Sequence, residues 1–352
     1  MKIIKFIQLL TMILLSYSLS AQSDTLNRLD SKGNKQGYWK KYEKDILLYE
    51  GRFVNDVPTG EFKYYHNNGN VKSISNFLNG THRVQTVLYH INGKKSAEGL
   101  FVNQQKEGEW LYYSSSEILI KKESYKNGIK NGEWKTYSPQ TGILIQEESY
   151  DNGILNGVQK VYYTTGELNT VQHFINGKRN GIAENYYLEE KLSSKGLYYN
   201  NLREGAWDFF DETGKIRKSV EFKKDREEKI YHYFYKGNTP QKLNQALVAY
   251  IQKSSNGIQV VTYDGKSFSF DTKFDELKYW FDHIEFVLIT PSILSARDNI
   301  LGYKKLNSED EEDDEIEVVL KAAPPYQVIA KGDNAKMIKS FTIKPAPIQE
   351  ED

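Results

Sequence analysis

The sequence predicts a mainly β protein, an elongated meander of tandem β-hairpins followed by a small α+β C-terminal domain. Three observations carry that prediction. Aromatic residues recur in fixed registers every 23 to 25 residues from Gly37 onward. Turn dipeptides of the Asn-Gly kind recur at two points in each period. Near residue 239 the period stops, and helix and strand signals mix.

Residues 1–21 read as a secretory signal peptide. Lys2 and Lys5 form a charged start, residues 6–15 an apolar stretch, and residues 16–21 supply small side chains before a cleavage point. That apolar stretch is about ten residues, half the ~20 that cross a bilayer. The expected mature chain is exported and soluble (periplasmic, cell-surface or secreted), with no transmembrane segment. Residues 22–36 follow as a polar N-terminal segment.

Cysteine is absent, which excludes disulfides, thiol catalysis, Cys-ligated zinc and lipid attachment through a cysteine. The precursor carries 47 basic and 47 acidic residues. Losing Lys2 and Lys5 with the leader leaves a charge near −2, no electrostatic footprint for nucleic acid or an anionic membrane.

The repeat occupies residues 37–236. Each unit opens with glycine, carries a bulky residue two places on, and an aromatic five places on. The openings are Gly37, Gly60, Val84, Gly108, Gly132, Gly157, Gly181 and Gly205, with Lys229 starting a ninth, partial unit. Five places on stand Tyr42, Tyr65, Tyr89, Tyr113, Tyr137, Tyr162, Tyr186, Phe210 and Phe234. A late aromatic closes each full unit: Phe53, Phe77, Phe101, Tyr125, Tyr150, Phe174, Tyr198 and Phe222. Four of the five tryptophans, Trp39, Trp110, Trp134 and Trp207, stand two after the opening. These registers are read as the structural framework of eight full units and one partial unit.

Each unit holds two turns. One follows the mid-unit aromatic, as at Asn68-Gly69, Asn92-Gly93 and Thr141-Gly142; the other follows the late aromatic, as at Asn79-Gly80, Asn127-Gly128, Asn152-Gly153 and Asn176-Gly177. Asn-Gly supplies the positive φ of tight hairpins. Two strands of five to seven residues per unit are therefore expected, with Pro58 and Pro139 in turns. Doubled aromatics such as Tyr64-Tyr65 and Tyr112-Tyr113 put one ring on each face of a strand.

With these registers laid out, the ladder resembles the bacterial variant of the MORN repeat, best in residues 127–142, 176–190 and 104–117. Proteins similar to it are commonly labelled antitoxin components of toxin–antitoxin systems, which implies binding of a partner protein. Eukaryotic MORN relatives are associated with membrane lipids and with assembly scaffolds. Val84 with Thr86, Gln159 and Ala183 depart from the pattern and are expected to weaken the sheet locally or to free its surface.

The α+β domain is placed at residues 239–343. Thr239-Pro240 reads as a helix start, with Leu243, Ala246, Leu247, Tyr250 and Ile251 on one face and Gly257 past the end. A hairpin is expected around Asp264-Gly265, and a second helix over residues 274–283. Strands are expected at 285–289, 317–321, 326–330 and 338–343. The domain would cover the last edge of the ladder, which would otherwise template aggregation. Seven acids at 309–315 read as a solvated acidic loop, with a calcium ion or a basic partner as the alternative. Residues 344–352 read as a disordered tail.

Chemistry is sparse. Histidines stand at His66, His82, His90, His173, His232 and His283, and His66 and His90 would lie about 10 Å apart, two strand spacings, too far to share a metal. No nucleophile elbow, P-loop or dinucleotide fingerprint occurs. Neither an enzyme nor a cofactor or metal site is expected. The expected function is an exported, non-enzymatic scaffold that binds a protein partner or builds envelope structure. The alternatives are a carbohydrate-binding surface using exposed Tyr and Trp, and an antitoxin- or immunity-like binder. One open row of tryptophans would favour glycan; interlocked rings would favour the scaffold.

Overall fold

A computed structural model describes residues 26–78, 82–277, 279–281, 285–306, 315–322 and 326–341. The leader, the turn at Asn79-Gly80, His283, most of the acidic run and the tail lie outside the described residues. The chain divides into two compact units, residues 1–166 and 167–352.

In the first unit each strand pairs antiparallel with the next, from Lys35–Glu43 with Ile46–Val54 to Gly132–Tyr137 with Leu144–Asp151. Strands such as Gln105–Tyr113 reach nine residues, longer than the sequence suggested. The late turns have two residues at positive φ, as at Asn127 (50°) and Gly128 (76°), the geometry whose twist matches a hairpin. Asn55-Asp56 (51° and 65°) and Asn103-Gln104 (50° and 64°) adopt it without glycine, so these turns left no Asn-Gly signal to read.

The opening glycines mark a β-bulge. Gly99 faces Trp110, but its neighbour Leu100 faces Glu107, so Gly108 and Glu109 have no partner of their own on that strand. All seven opening glycines have positive φ, from 66° to 115°. Pro58 is a correction to the expected turn: it lies in strand Val57–Tyr65, opposite Phe53. Its place beside the bulge tolerates the missing N–H.

The second unit continues the same antiparallel hairpins from Leu168–Ile175 to Arg226–Lys236 and Thr239–Asn244. Its ninth repeat keeps the expected turn register, Phe222 facing Glu227 as Phe101 faces Lys106, but its bulge is one residue shorter. Ser219 therefore faces Tyr231 where Lys195 faces Asp208, and Tyr233 takes the place of the mid-unit tyrosine. Phe234 is thereby turned to the other face, fully buried and stacked 5.0 Å from Phe270.

The expected helix after Thr239-Pro240 does not form. The segment is a ladder strand Thr239–Asn244, one 3-10 turn at Gln245–Leu247, and a second strand Val248–Ser254. Its apolar residues satisfy two sheets instead of one helix face, a tertiary override of a local pattern. The hairpin at Asp264-Gly265 forms, joining Gly257–Thr262 to Ser267–Phe270. The second helix is only Phe274–Leu277. Residues 338–341 of the strand expected at 338–343 lie instead in a helix, Gly332–Phe341, which buries Ala335 and Ile338; the rest of that span lies outside the described residues.

A five-stranded sheet organises this α+β region, with Val248–Ser254 between Gly257–Thr262 and Ile293–Ala296. Strand Phe286–Thr290 shows why two cores form. Phe286 enters a cluster with Phe234, Phe270, Phe274 and Phe281. Val287 and Ile289, pointing oppositely, enter a cluster with Ile316, Val318, Leu320 and Ile338. The second cluster belongs to a three-stranded sheet, Ile300–Lys305, Glu315–Leu320 and Tyr326–Lys331.

Candidate interaction surface

One face of the hairpin strands is the tryptophan face. Trp110 is 1% exposed and Trp207 5%. Their indole N–H groups donate to backbone oxygens of the preceding strand, Leu100 and Leu197, each at 3.1 Å. Trp134 repeats the bond to Ser124 at 3.0 Å. Each ring meets a late aromatic edge to face: Trp39 with Phe53 at 6.1 Å, Trp110 with Phe101 at 4.7 Å, Trp134 with Tyr125 and Tyr150 at 5.2 and 5.5 Å, Trp207 with Tyr198 at 5.0 Å. Such pairs contribute about 0.5–1.5 kcal/mol beyond area. The rings interlock.

A basic side chain two residues before an opening covers these rings. Lys35 lies 4.7 Å over Phe53, and Lys130 4.1 Å over Trp134 and 4.4 Å over Tyr150. Lys106 stands over three rings, Trp110, Tyr112 and Tyr125, at 4.8 to 5.0 Å. Arg179 covers Tyr198 at 4.1 Å and Arg203 covers Phe222 at 3.8 Å. Burial lowers the Lys106 ammonium below its ordinary value, while Glu123, 7% exposed, accepts from Tyr125 at 2.8 Å beside it. This register was overlooked in the sequence. Its signal was the position itself, basic at 35, 106, 130, 179 and 203.

The mid-unit tyrosines turn to the other face. Tyr65, Tyr113 and Tyr162 donate their hydroxyls to a glutamate fifteen residues earlier: Glu50 at 2.6 Å, Glu98 at 2.6 Å and Glu147 at 2.8 Å. Burial and the Glu98 bond push the Tyr113 hydroxyl up to about 12, and the Tyr113 bond holds the Glu98 carboxyl low. Burial alone would raise Glu147, but the bonds from Lys135 and Tyr162 outweigh it and hold it low. Lys135, at 2.8 Å, and Lys160, at 3.9 Å, flank Glu147 in a shallow cleft with Glu133, Ser149 and Val158. Tyr137 faces Leu144, Tyr186 donates to Glu184 at 2.8 Å, Phe210 pairs with Ile216, and Tyr42 is half-exposed.

Both turn edges are clasped. On the late-turn edge Asp56 N donates to Lys35 O at 3.2 Å, Gly128 N to Lys106 O at 2.9 Å and Gly153 N to Lys130 O at 2.8 Å. On the mid-turn edge His66 Nε2 meets Tyr89 O at 3.1 Å and His90 Nε2 meets Tyr113 O at 2.9 Å. The two histidines therefore bond backbone one repeat on. Among the described residues no group of three or more His, Asp or Glu is placed to hold a metal.

The departures from the framework have local compensations. Thr86 hydroxyl meets Ser75 at 3.2 Å in a buried pair. Gln159 donates to Glu148 at 2.9 Å. Ala183, 1% exposed, lies in the cluster of Trp207, Val220 and Phe222.

A family model described as the MORN repeat variant matches residues 58–79, 106–127, 155–176 and 203–224. Four stretches of the chain are thus similar to the MORN repeat variant. Each matched MORN window starts two residues before an opening glycine, at Pro58, Lys106, Leu155 and Arg203, so it spans the ring-covering position, the bulge and both aromatics. No curated protein matches the chain. Among solved structures, the crystal structure of TcdB2-TccC3 without hypervariable C-terminal region matches at 10% identity and a TM-score of 0.19, over 86% of this chain and 20% of that one. The chain thus spans about a fifth of that structure, and a TM-score so low supports no structural inference. Among the described residues no helix is long and apolar enough to cross a membrane.

Proposed function

We propose that the chain is an exported, non-enzymatic MORN-repeat scaffold whose ladder holds a protein partner or an element of envelope structure. One observation carries the reading: the framework rings are spent on one another. Trp110 and Trp207 are buried and bonded to backbone, and basic side chains lie over the late aromatics. What varies from unit to unit is the turn edges, as in other repeat proteins whose fixed framework displays a variable surface. Interlocking supports the scaffold over stacking on sugar rings. The leader pattern at residues 1–21 supports the export part.

The test is a cross-linking pull-down with residues 22–352 in the native envelope. The expected result is one protein partner at a fixed ratio, lost on deletion of residues 84–210. Recovery of no protein, or recovery unaffected by that deletion, overturns the reading. Retention of the full precursor in the cytoplasm, unprocessed, overturns export separately.

A further inference from the structure

Three consecutive late turns of the second unit differ in chemistry from those of the first. Residues 175–179, 199–203 and 223–227 carry Lys178, Arg179, Arg203, Lys223, Lys224 and Arg226 against Asp225 and Glu227. Among these lie three exposed apolar side chains: Ile175 at 52%, Tyr199 at 61% and Leu202 at 41%. The equivalent turns of the first unit, 54–58, 102–106, 126–130 and 151–155, hold Lys106, Lys126 and Lys130 against Asp56 and Asp151, close to neutrality. The net charge is +4 over these three turns and +1 over the four of the first unit, with Glu204 and Glu228 at the border bonded to Lys224 N and to Arg226.

The edge is built and held in place. Asn201 N donates to Arg179 O, and Asp225 N to Arg203 O, both at 2.9 Å. Arg179 N in turn donates to Asn201 Oδ1 at 2.7 Å. The two guanidinium groups lie on the rings of Tyr198 and Phe222 at 4.1 and 3.8 Å, and Arg203 Nε is set by Asp225 at 2.5 Å. These contacts hold the backbone of the turns in place and leave Lys178 and Lys223 exposed beside them. Successive turns are two strand spacings apart, so the three cover about 20 Å. An extended segment of about six residues has that length.

We propose that this edge docks an acidic, extended segment of a partner protein, with carboxylates facing Lys178 and Lys223 and apolar side chains against Ile175, Tyr199 and Leu202, all on the face opposite Arg179 and Arg203. The inference rests on the scaffold reading and names the chemistry of its partner. Charge complementarity selects an acidic occupant. The alternation of basic and apolar residues along a narrow line of turns selects a chain rather than a plane of lipid headgroups.

The test uses the full mature chain and a short labelled peptide with leucine at every third position and glutamate elsewhere, read by fluorescence anisotropy. Lys178→Glu with Lys223→Glu alters exposed turn positions, and unchanged thermal melting verifies that the fold persists. The expected result is binding that weakens with added salt and falls by roughly tenfold or more in the charge-reversed variant, as complementary charge at a docking edge requires. Tyr199→Ser with Leu202→Ser lowers it several-fold. Equal binding by wild type and charge-reversed protein overturns the proposal, as does equal binding of the same peptide with lysine in place of glutamate. Capture of phosphatidylserine vesicles without peptide binding also overturns it, in favour of a lipid surface. The pull-down separates the two levels: a partner retained by the charge-reversed variant sinks this edge but leaves the scaffold standing, and no partner with wild type sinks the scaffold.

Discussion

The indole of Trp110 lies against the backbone of Gly99 on the neighbouring strand, so closely that a Cβ on Gly99 would fall inside the Cδ2 and Cε2 atoms of the ring. The same relation joins Trp207 to Gly196 and Phe62 to Gly51. Gly99→Ala is therefore expected to lower stability by about 1–3 kcal/mol, the cost of overpacking against a ring that cannot swing away. Gly196→Ala is expected to match it. Urea unfolding measures both, and a change within error at either position would refute the contact as a constraint.

Gln104 sits at φ of 64° in a two-residue turn after Asn103. A side chain there carries strain of about 1–2 kcal/mol that glycine lacks, partly offset by the greater freedom of glycine in the unfolded chain. Gln104→Gly is expected to raise the unfolding midpoint, and a lowered midpoint counts against the turn geometry.

Four tyrosines, Tyr113, Tyr125, Tyr150 and Tyr186, are each pushed up to about 12, by burial first and by a glutamate bond second. A raised folded value means that the folded state holds its proton longer than the unfolded chain. The stabilisation is full below pH ~10 and is lost as pH rises toward 12. Tyrosinate absorbance is expected to rise in two phases, the second together with unfolding. A single phase centred near 10 would contradict the bonds.

His232 is 1% exposed, stacked 3.7 Å from Phe281, and bonded through Nε2 to Gln245 at 2.6 Å. Burial lowers it to about 3. The folded value lies below the unfolded one, so its stability is present above pH ~6.5 and is lost as pH falls through that range toward 3. His232→Phe keeps the stack and is expected to flatten the fall of melting temperature over this interval. A parallel fall in both proteins would assign acid sensitivity to other groups.

The ladder was legible because its signals are local. An aromatic register such as Tyr65, Tyr113 and Tyr162 and a dipeptide such as Asn127-Gly128 state strand, face and turn within one repeat. The site was less legible. Lys106 is an ordinary surface lysine in sequence, and only the hairpin brings it over Trp110, Tyr112 and Tyr125. Glu98 and Tyr113 are fifteen residues apart and meet because two strands lie side by side. The C-terminal region was misread for the same reason. Leu243 and Ile251 fit one helix face in the sequence, but Leu243 faces His232 on strand Arg226–Lys236 and Ile251 pairs with Val260.

The sequence by itself determined the repeat, its period, the turns marked by Asn-Gly and the faces of the aromatics in the eight full units, because strand alternation and turn conformation are set by neighbours along the chain. The tertiary structure decided which basic residues cover the rings, where the ninth unit slips by one residue, and how residues 239–341 fold. Those depend on pairing across strands, where burying Phe234 and His232 against partners distant in sequence outweighs a local preference for helix.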